Sequence, residues 1–336
     1  MKTPTVIIDG SSEGALQQPP LPVARQQLEM SGLADEGLRE EGKPVIVADL
    51  YRAFKEEKRT LVDIAWEQQR LHESRRWSVM EMLAAIDVER VSQSDRLLVW
   101  NAGRAELTTK PGADRLARLS DTECRRWQEK NPVVASIMQA CGTWSRYWNE
   151  EEAHHETSFN RLATLFAMDR VTDETFIEFR KVFPDDDMLR TLTLLAISEI
   201  VAAVNYANCA RVIQEPGLKA LFKQVGADEI QHMNYFIAFA KGLVDSAEYA
   251  PKEAFSVAHF FLRDGGEVYG SKRQHVEQRG THVNWWDHLE YREGMYSPDA
   301  IDKKETLIFN ALKRITGITV SSAEEVEDKW MELVGC

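Results

Sequence analysis

Residues 147–159 read YWNEEEAHHETSF, and they hold two overlapping Glu-x-x-His pairs, Glu151/His154 and Glu152/His155. A glutamate and a histidine three apart on a helix lie on one face, so a carboxylate and an imidazole can share one cation. Helical spacing separates the two pairs. Stepping by three or four from His155 passes Trp144, Trp148, Glu152, Phe159, Leu162 and Phe166, an apolar and aromatic stripe. The same step from His154 passes Tyr147, Glu150, Glu151, Ser158, Arg161 and Leu165, a mostly polar one. Glu152 and His155 are therefore expected to face inward, and His154 to face solvent or a neighbouring helix.

One such pair arises easily by chance in a glutamate-rich chain, where it would be a solvated acidic face. A further pair, Glu229/His232 in VGADEIQHMNYF (225–236), sits on its own apolar stripe of Phe222, Val225, Phe236 and Phe239. Packing alone does not account for two inward pairs, because four unpartnered buried polar groups would cost several kcal/mol. Glu199 interrupts the most apolar stretch of the chain, flanked by Leu195, Ala196, Ala202 and Ala203. Its alternative reading is a buried acid paired with Arg146 or Arg211. Glu123, between Leu119 and Trp127, is the fourth candidate carboxylate; alone it would be a surface glutamate.

Spacing links the four segments. Glu123 precedes Glu152 by 29 residues with Gly142 between them, and Glu199 precedes Glu229 by 30 with Pro216 and Gly217 between them. Each half then offers one Glu on a first helix and Glu-x-x-His on a second, the ligand set of carboxylate-bridged di-iron proteins. The expected metal ligands are Glu123, Glu152, His155, Glu199, Glu229 and His232, with Glu152 and Glu229 bridging. Carboxylates neutralise two ferrous ions and imidazoles complete each ion while leaving positions open for O₂.

At these residues the sequence resembles the soluble acyl-carrier-protein desaturases, nearer their bacterial branch. WSRYWNEEEAHHE is similar to that family's W…RWTAEENRHG, TEC at 122–124 to its TED/TEE segment, VGADEIQHMNYF to its ADE…H helix and SEIVA to its QE(R/L)AT. The likeness spans roughly residues 115–245. It implies two iron ions, O₂ as co-substrate, a ferredoxin-type electron donor and an acyl chain carried on an acyl carrier protein. It also registers Glu123 as a terminal carboxylate. Where the family has a threonine three residues after the third-helix glutamate, this chain has Ala202; His154 and Glu156 replace an arginine and a glycine. Those departures leave desaturation, hydroxylation and amine oxidation open as outcomes. A hydroxylase or N-oxygenase on a small free substrate is one alternative, a ferritin-type iron-binding protein another. A radical-storing subunit would need a tyrosine near the metals, for which Tyr206 and Tyr235 are candidates.

The elements that must position these residues are helical almost throughout. Apolar periodicity predicts helices over 46–58, 60–74, 77–90, 113–139, 143–168, 172–183, 187–213, 216–245, 250–263, 285–293, 298–315 and 321–334. TTKPG (108–112) reads as a break and Gly142 as a turn. Four long segments joined as two hairpins outline an all-α, ferritin-like four-helix bundle with extra terminal helices. The expected organisation is an extended arm over 1–45, rich in Gly, Ser, Gln and Pro, helices packing on the bundle over 46–112, the bundle over 113–245, and C-terminal helices of the same domain over 246–336.

At 336 residues with 43% hydrophobic and 28% charged residues, the chain can bury a large core. A net charge of −13 argues against nucleic acid as the main partner. The basic clusters Arg75-Arg76, Arg125-Arg126, Lys219/Lys223 and Lys313-Arg314 could still dock an acidic carrier or ferredoxin. Four scattered cysteines suggest neither a disulfide framework nor a zinc knuckle. With no cationic-then-apolar start, and an apolar stretch at 192–204 too short to span a bilayer, the expectation is a cytoplasmic homodimer without a membrane span.

Overall fold

The computed structural model describes residues 42–106, 109–168, 187–263 and 298–335. The helices expected over 172–183 and 285–293, the segment 265–296 with its adjacent Trp285 and Trp286, and nearly all of the arm 1–45 fall outside those residues. Residues 45–336 form one compact unit, and its described part is all-α with no strand. In chain order the helices are α1 (Leu50–Lys55), α2 (Leu61–Arg75), α3 (Val79–Ala84), α4 (Gln93–Glu106), α5 (Thr109–Trp127), α6 (Pro132–Leu165), α7 (Met188–Val212), α8 (Pro216–Asp245), α9 (Lys252–Arg263), α10 (Pro298–Thr316) and α11 (Ala323–Val334).

Local chemistry starts the helices that matter. Asn131 caps α6 by accepting from the Val134 N–H, and Pro132 follows in the first turn, where a missing N–H costs nothing. Asp187 caps α7 through the Arg190 N–H at 2.8 Å. Glu215 caps α8 through the Leu218 N–H, again with a proline (Pro216) in the first turn. At the start of α2, Thr60 and Asp63 bond each other's backbone N–H reciprocally.

Helices α4 and α5 pack in succession along α6, α7 pairs along most of its length with α8, and α6 meets α8. Helix α10 lies across α7 and α8, and α9 packs on α11. Buried side chains divide into two apolar clusters. One includes Trp144, Trp148, Ile197, Phe236 and Phe239; the other includes Phe159, Tyr206, Leu218 and Phe222. On α6 and α8, the Glu-x-x-His pairs fall between the two clusters, so a polar layer is sealed on both sides by apolar packing.

Two expectations need correction. The turn expected at Gly142 does not exist: α6 runs unbroken from Pro132 to Leu165, and the chain reverses at 128–131. A Cβ at Gly142 would lie 3.4 Å from Ser120 Cβ of α5, an ordinary packing contact. Likewise the break expected at 108–112 is absent from 109 onward, because Pro111 sits in the first turn of α5. The apolar stretch around Glu199 belongs to a 25-residue helix, long and apolar enough to cross a membrane, yet 72% of its most apolar window is buried within the protein.

Gly217 in the first turn of α8 marks a backbone-to-backbone contact, since a Cβ there would meet the Ala85 carbonyl oxygen at 2.3 Å. Backbone cannot rotate away as a side chain can. Gly217→Ala should therefore destabilise the fold by ~1–3 kcal/mol despite alanine's better helix propensity. The urea midpoint measures this; an unchanged or higher midpoint would show that α3 and α8 can part without cost.

Candidate metal centre

Five of the six expected ligands come together, and the sixth place is taken by another residue. Glu106, at the end of α4, joins Glu152 and His155 of α6 and Glu229 of α8 in one group. Glu152 and Glu229 also belong to a second group with Glu199 of α7 and His232 of α8. Within each group the potential ligand atoms all lie within 4.8 Å of one another, and every residue is buried.

The two shared carboxylates are split between the imidazoles. Nδ1 of His155 lies 3.3 Å from Glu152 Oε2 and 3.4 Å from Glu229 Oε1. Nδ1 of His232 lies 3.0 Å from the other oxygens, Glu152 Oε1 and Glu229 Oε2. Each carboxylate thus turns one oxygen to each histidine, which is what bridging two cations requires. Glu106 Oε2 closes the first group at 3.8 Å from His155 Nδ1.

A pair of divalent cations fits this donor set. His155 Nδ1 is buried and makes no hydrogen bond, although carboxylate oxygens surround it at 3.3–3.8 Å. Ligands ~2.0–2.2 Å from a common cation stand about 3 Å apart, so these spacings suit shared coordination better than direct bonding. Four carboxylates balance the charge of two divalent ions, and the oxygen and imidazole donors with no thiolate suit iron or manganese.

Electrostatics agrees. Burial, then the charges of Glu152 and Glu229, push Glu106 and Glu199 well above the usual carboxylate range. Burial pulls both histidines down, but the surrounding carboxylates outweigh it and raise His155 and His232 well above the ordinary imidazole value. Entering cations must displace these protons, so affinity falls as pH falls.

Each imidazole is held from behind. Nε2 of His155 is 3.3 Å from Asp228 Oδ2, and Asp228 also accepts from Trp77 Nε1 at 2.8 Å and Arg75 Nη2 at 2.9 Å. Nε2 of His232 is 2.7 Å from Glu151 Oε2, whose other oxygen is 2.7 Å from His72 Nδ1. A carboxylate behind each ring fixes its tautomer with Nδ1 toward the shared carboxylates, where cations would sit. Tyr206 donates its hydroxyl to Glu106, and Trp148 Nε1 donates to Glu152 Oε1 at 2.8 Å. Tyr235 stacks on Trp144 instead of reaching a carboxylate of the cluster.

Against the sequence reading, the Glu152/His155 face is inward as expected, and His154 is half-buried, edge-on to Trp77. Glu151 departs from the polar-face expectation: it is buried because His72 and His232 both bind it. The alternative pairing of Glu199 with an arginine gives way to its place beside Glu152, Glu229 and His232. Ala202 is half-buried and packs against the cluster that contains Phe159 and Tyr206.

Glu123 stands outside the cluster. Its carboxylate accepts from Trp127 Nε1 at 3.1 Å, Tyr249 Oη at 2.5 Å and Arg126 Nη1 at 3.2 Å. The displaced turn explains this. Glu152 lies twenty residues into α6, ~30 Å from its start at 1.5 Å per residue, so its neighbour on the preceding antiparallel chain lies equally far back from Trp127. That is Glu106. Glu123 is only four residues from the end of α5, far too near the turn. Asn131-Pro132, a helix-start signature, was the available clue. His72 and Asp228 carry no comparable local signal.

Compared with known proteins, the chain matches no family model, no curated protein and no solved structure.

Loaded with ferrous or manganous ion, Glu106→Ala should lose one ion of the pair by elemental analysis. Glu123→Ala should keep both while losing ~1–3 kcal/mol of stability with its buried hydrogen bonds. The opposite pattern would restore Glu123 as the ligand. Glu151→Ala should retain the ligand set yet bind metal ~10–100-fold more weakly, read by competition with a chelator.

Proposed function

We propose that the protein is an O₂-dependent non-haem di-iron oxidoreductase, a desaturase or oxygenase, acting on an acyl chain carried by an acyl carrier protein. The observation that carries this reading is the sharing of Glu152 and Glu229 between two buried imidazoles, with a further carboxylate at either end. The four long segments, α4–α5, α6, α7 and α8, serve in this reading as a ferritin-like four-helix bundle, each contributing to the site. Two ferrous ions held by Glu106, Glu152, His155, Glu199, Glu229 and His232 would supply the electrons with which O₂ is activated.

The chain's own residues do the rest. Asp228 and Glu151 orient the imidazoles, and Trp148, Phe159, Phe222 and Phe236 keep bulk water from the polar layer. A ferredoxin-type donor and the carrier-bound substrate rest on the motif resemblance. A homodimer in the cytoplasm remains part of the same proposal.

An oxygenase acting on a small free substrate is the second reading, and two observations favour it. Ala202 places a methyl group where the resembling enzymes have a hydroxyl. Arg75, one of the residues considered for docking an acidic carrier, is engaged within the chain by the buried Asp228.

Protein loaded anaerobically with ferrous ion and then given O₂ should consume it and convert an acyl-carrier-protein substrate to alkene or alcohol, read by mass spectrometry. Turnover confined to free acids or amines would select the second reading. Iron that binds, oxidises and accumulates beyond a pair per chain without any product would point instead to iron storage. Ala202→Thr should shift product toward the alkene; an unchanged product and rate would remove position 202 from the choice.

A further inference from the structure

We infer that Trp148, Trp144 and Tyr235 form a chain that carries oxidising equivalents away from the metal pair when O₂ is activated with no substrate in place. The inference rests on the di-iron reading and goes beyond it. Tryptophan and tyrosine are the side chains most readily oxidised by one electron without heavy-atom rearrangement, and here three of them are in sequence. Trp148 touches the centre directly, through the 2.8 Å bond from its indole N–H to Glu152 Oε1. Its ring lies nearly parallel to Trp144, 9° between planes and 6.1 Å between centroids. Trp144 in turn stacks on Tyr235 at 4.6 Å and 27°. Phe236 packs edge-on against both indoles at 5.0 Å and holds them in register.

At the far end of the chain the buried Tyr235 borders a cavity of about 10 Å³, room for about one water. Tyr235 lines that cavity with Val45, Val47, Leu50, Glu67 and Gln68, and Val45 is exposed at its rim. The other tyrosine at the centre is placed differently: Tyr206 bonds Glu106, and among the described residues its ring neighbours are Phe159 and Phe222, which do not accept a hole under these conditions. Trp77 touches the centre from the other side, stacked on His155 at 6.3 Å and 14° and bonded to Asp228, with the His154 ring as its further neighbour.

Electrons and protons balance as follows. Trp148 would give up one electron to an oxidised metal pair held by the cluster and be refilled from Trp144, and Trp144 from Tyr235. Tyr235 would then release its phenolic proton to a water in that cavity or to the Glu67 carboxylate that lines it, and become a neutral radical. A small one-electron reductant of the ascorbate or thiol class returns an electron and a proton to it. The net change is one electron gained by the metal pair and one lost by the reductant.

The test uses the full chain, loaded with ferrous ion, mixed with O₂ without substrate and freeze-quenched for electron paramagnetic resonance, with iron content and O₂ uptake measured on each sample. The expected signal is an organic radical that narrows when the protein contains ring-deuterated tyrosine and is lost in Tyr235→Phe, a variant that removes only a hydroxyl. Trp144→Phe should abolish it too and raise oxidative modification of Trp148 and its neighbours several-fold, read by peptide mass spectrometry. A tyrosine signal that survives Tyr235→Phe but disappears in Tyr206→Phe would overturn the chain. So would bound iron and normal O₂ uptake with no radical and no change in modification between parent and variants. Failure to bind iron or consume O₂ is the distinguishable failure of the di-iron reading, and the chain falls with it.

Discussion

The structure depends on four carboxylates held together out of water. Glu106, Glu152, Glu199 and Glu229 occupy one layer with two imidazoles between them, and such a concentration of acid is costly to bury without compensating positive charge. Protons on the histidines and the outer glutamates offset part of that cost, and a pair of divalent cations would offset it fully. The apolar clusters above and below the layer raise the stakes by lowering the local dielectric. That is also why the arrangement has chemical potential: cations held there would be shielded from bulk water.

The shared carboxylates set the geometry of everything around them. Glu152 and Glu229 divide their oxygens between the two rings only if both rings present Nδ1, and this is enforced from behind by Asp228 and Glu151. The two supports differ. Asp228 is anchored by Trp77, Arg75 and Gln224; burial pushes its carboxyl up, but the His155 imidazole it faces, the charges of His155 and His232 and the Trp77 hydrogen bond together hold it down at about 2. Glu151 is anchored by His72, whose other nitrogen faces the half-exposed Glu150. One histidine's support is thus bonded by Trp77, Arg75 and Gln224, whereas the other's connects through His72 and Glu150 toward the surface.

Aromatic packing is likewise asymmetric. Trp148 and Trp144 lie on the α6–α8 side, parallel and continuous with Tyr235, whereas the opposite cluster around Phe159 and Phe222 encloses Tyr206. The stripe that the sequence marks as core is core in both clusters. On the α6–α8 side it includes three side chains that can be oxidised in series.

What the sequence by itself determined is whatever depends on neighbours within one helical turn. Glu-x-x-His on an apolar stripe places Glu152, His155, Glu229 and His232 inward because the 3.6-residue period leaves no other face for them. Glu199 was legible because a lone acid in an apolar helix must find compensation, and Pro216 marks the following turn. Glu106 was not legible in this way. Its choice over Glu123 follows from where two antiparallel segments reverse, and moving that reversal from Gly142 to 128–131 shifts the facing residue by many positions. His72, Asp228 and the division of carboxylate oxygens were decided only by tertiary structure, since the contacts that define them join residues more than seventy positions apart.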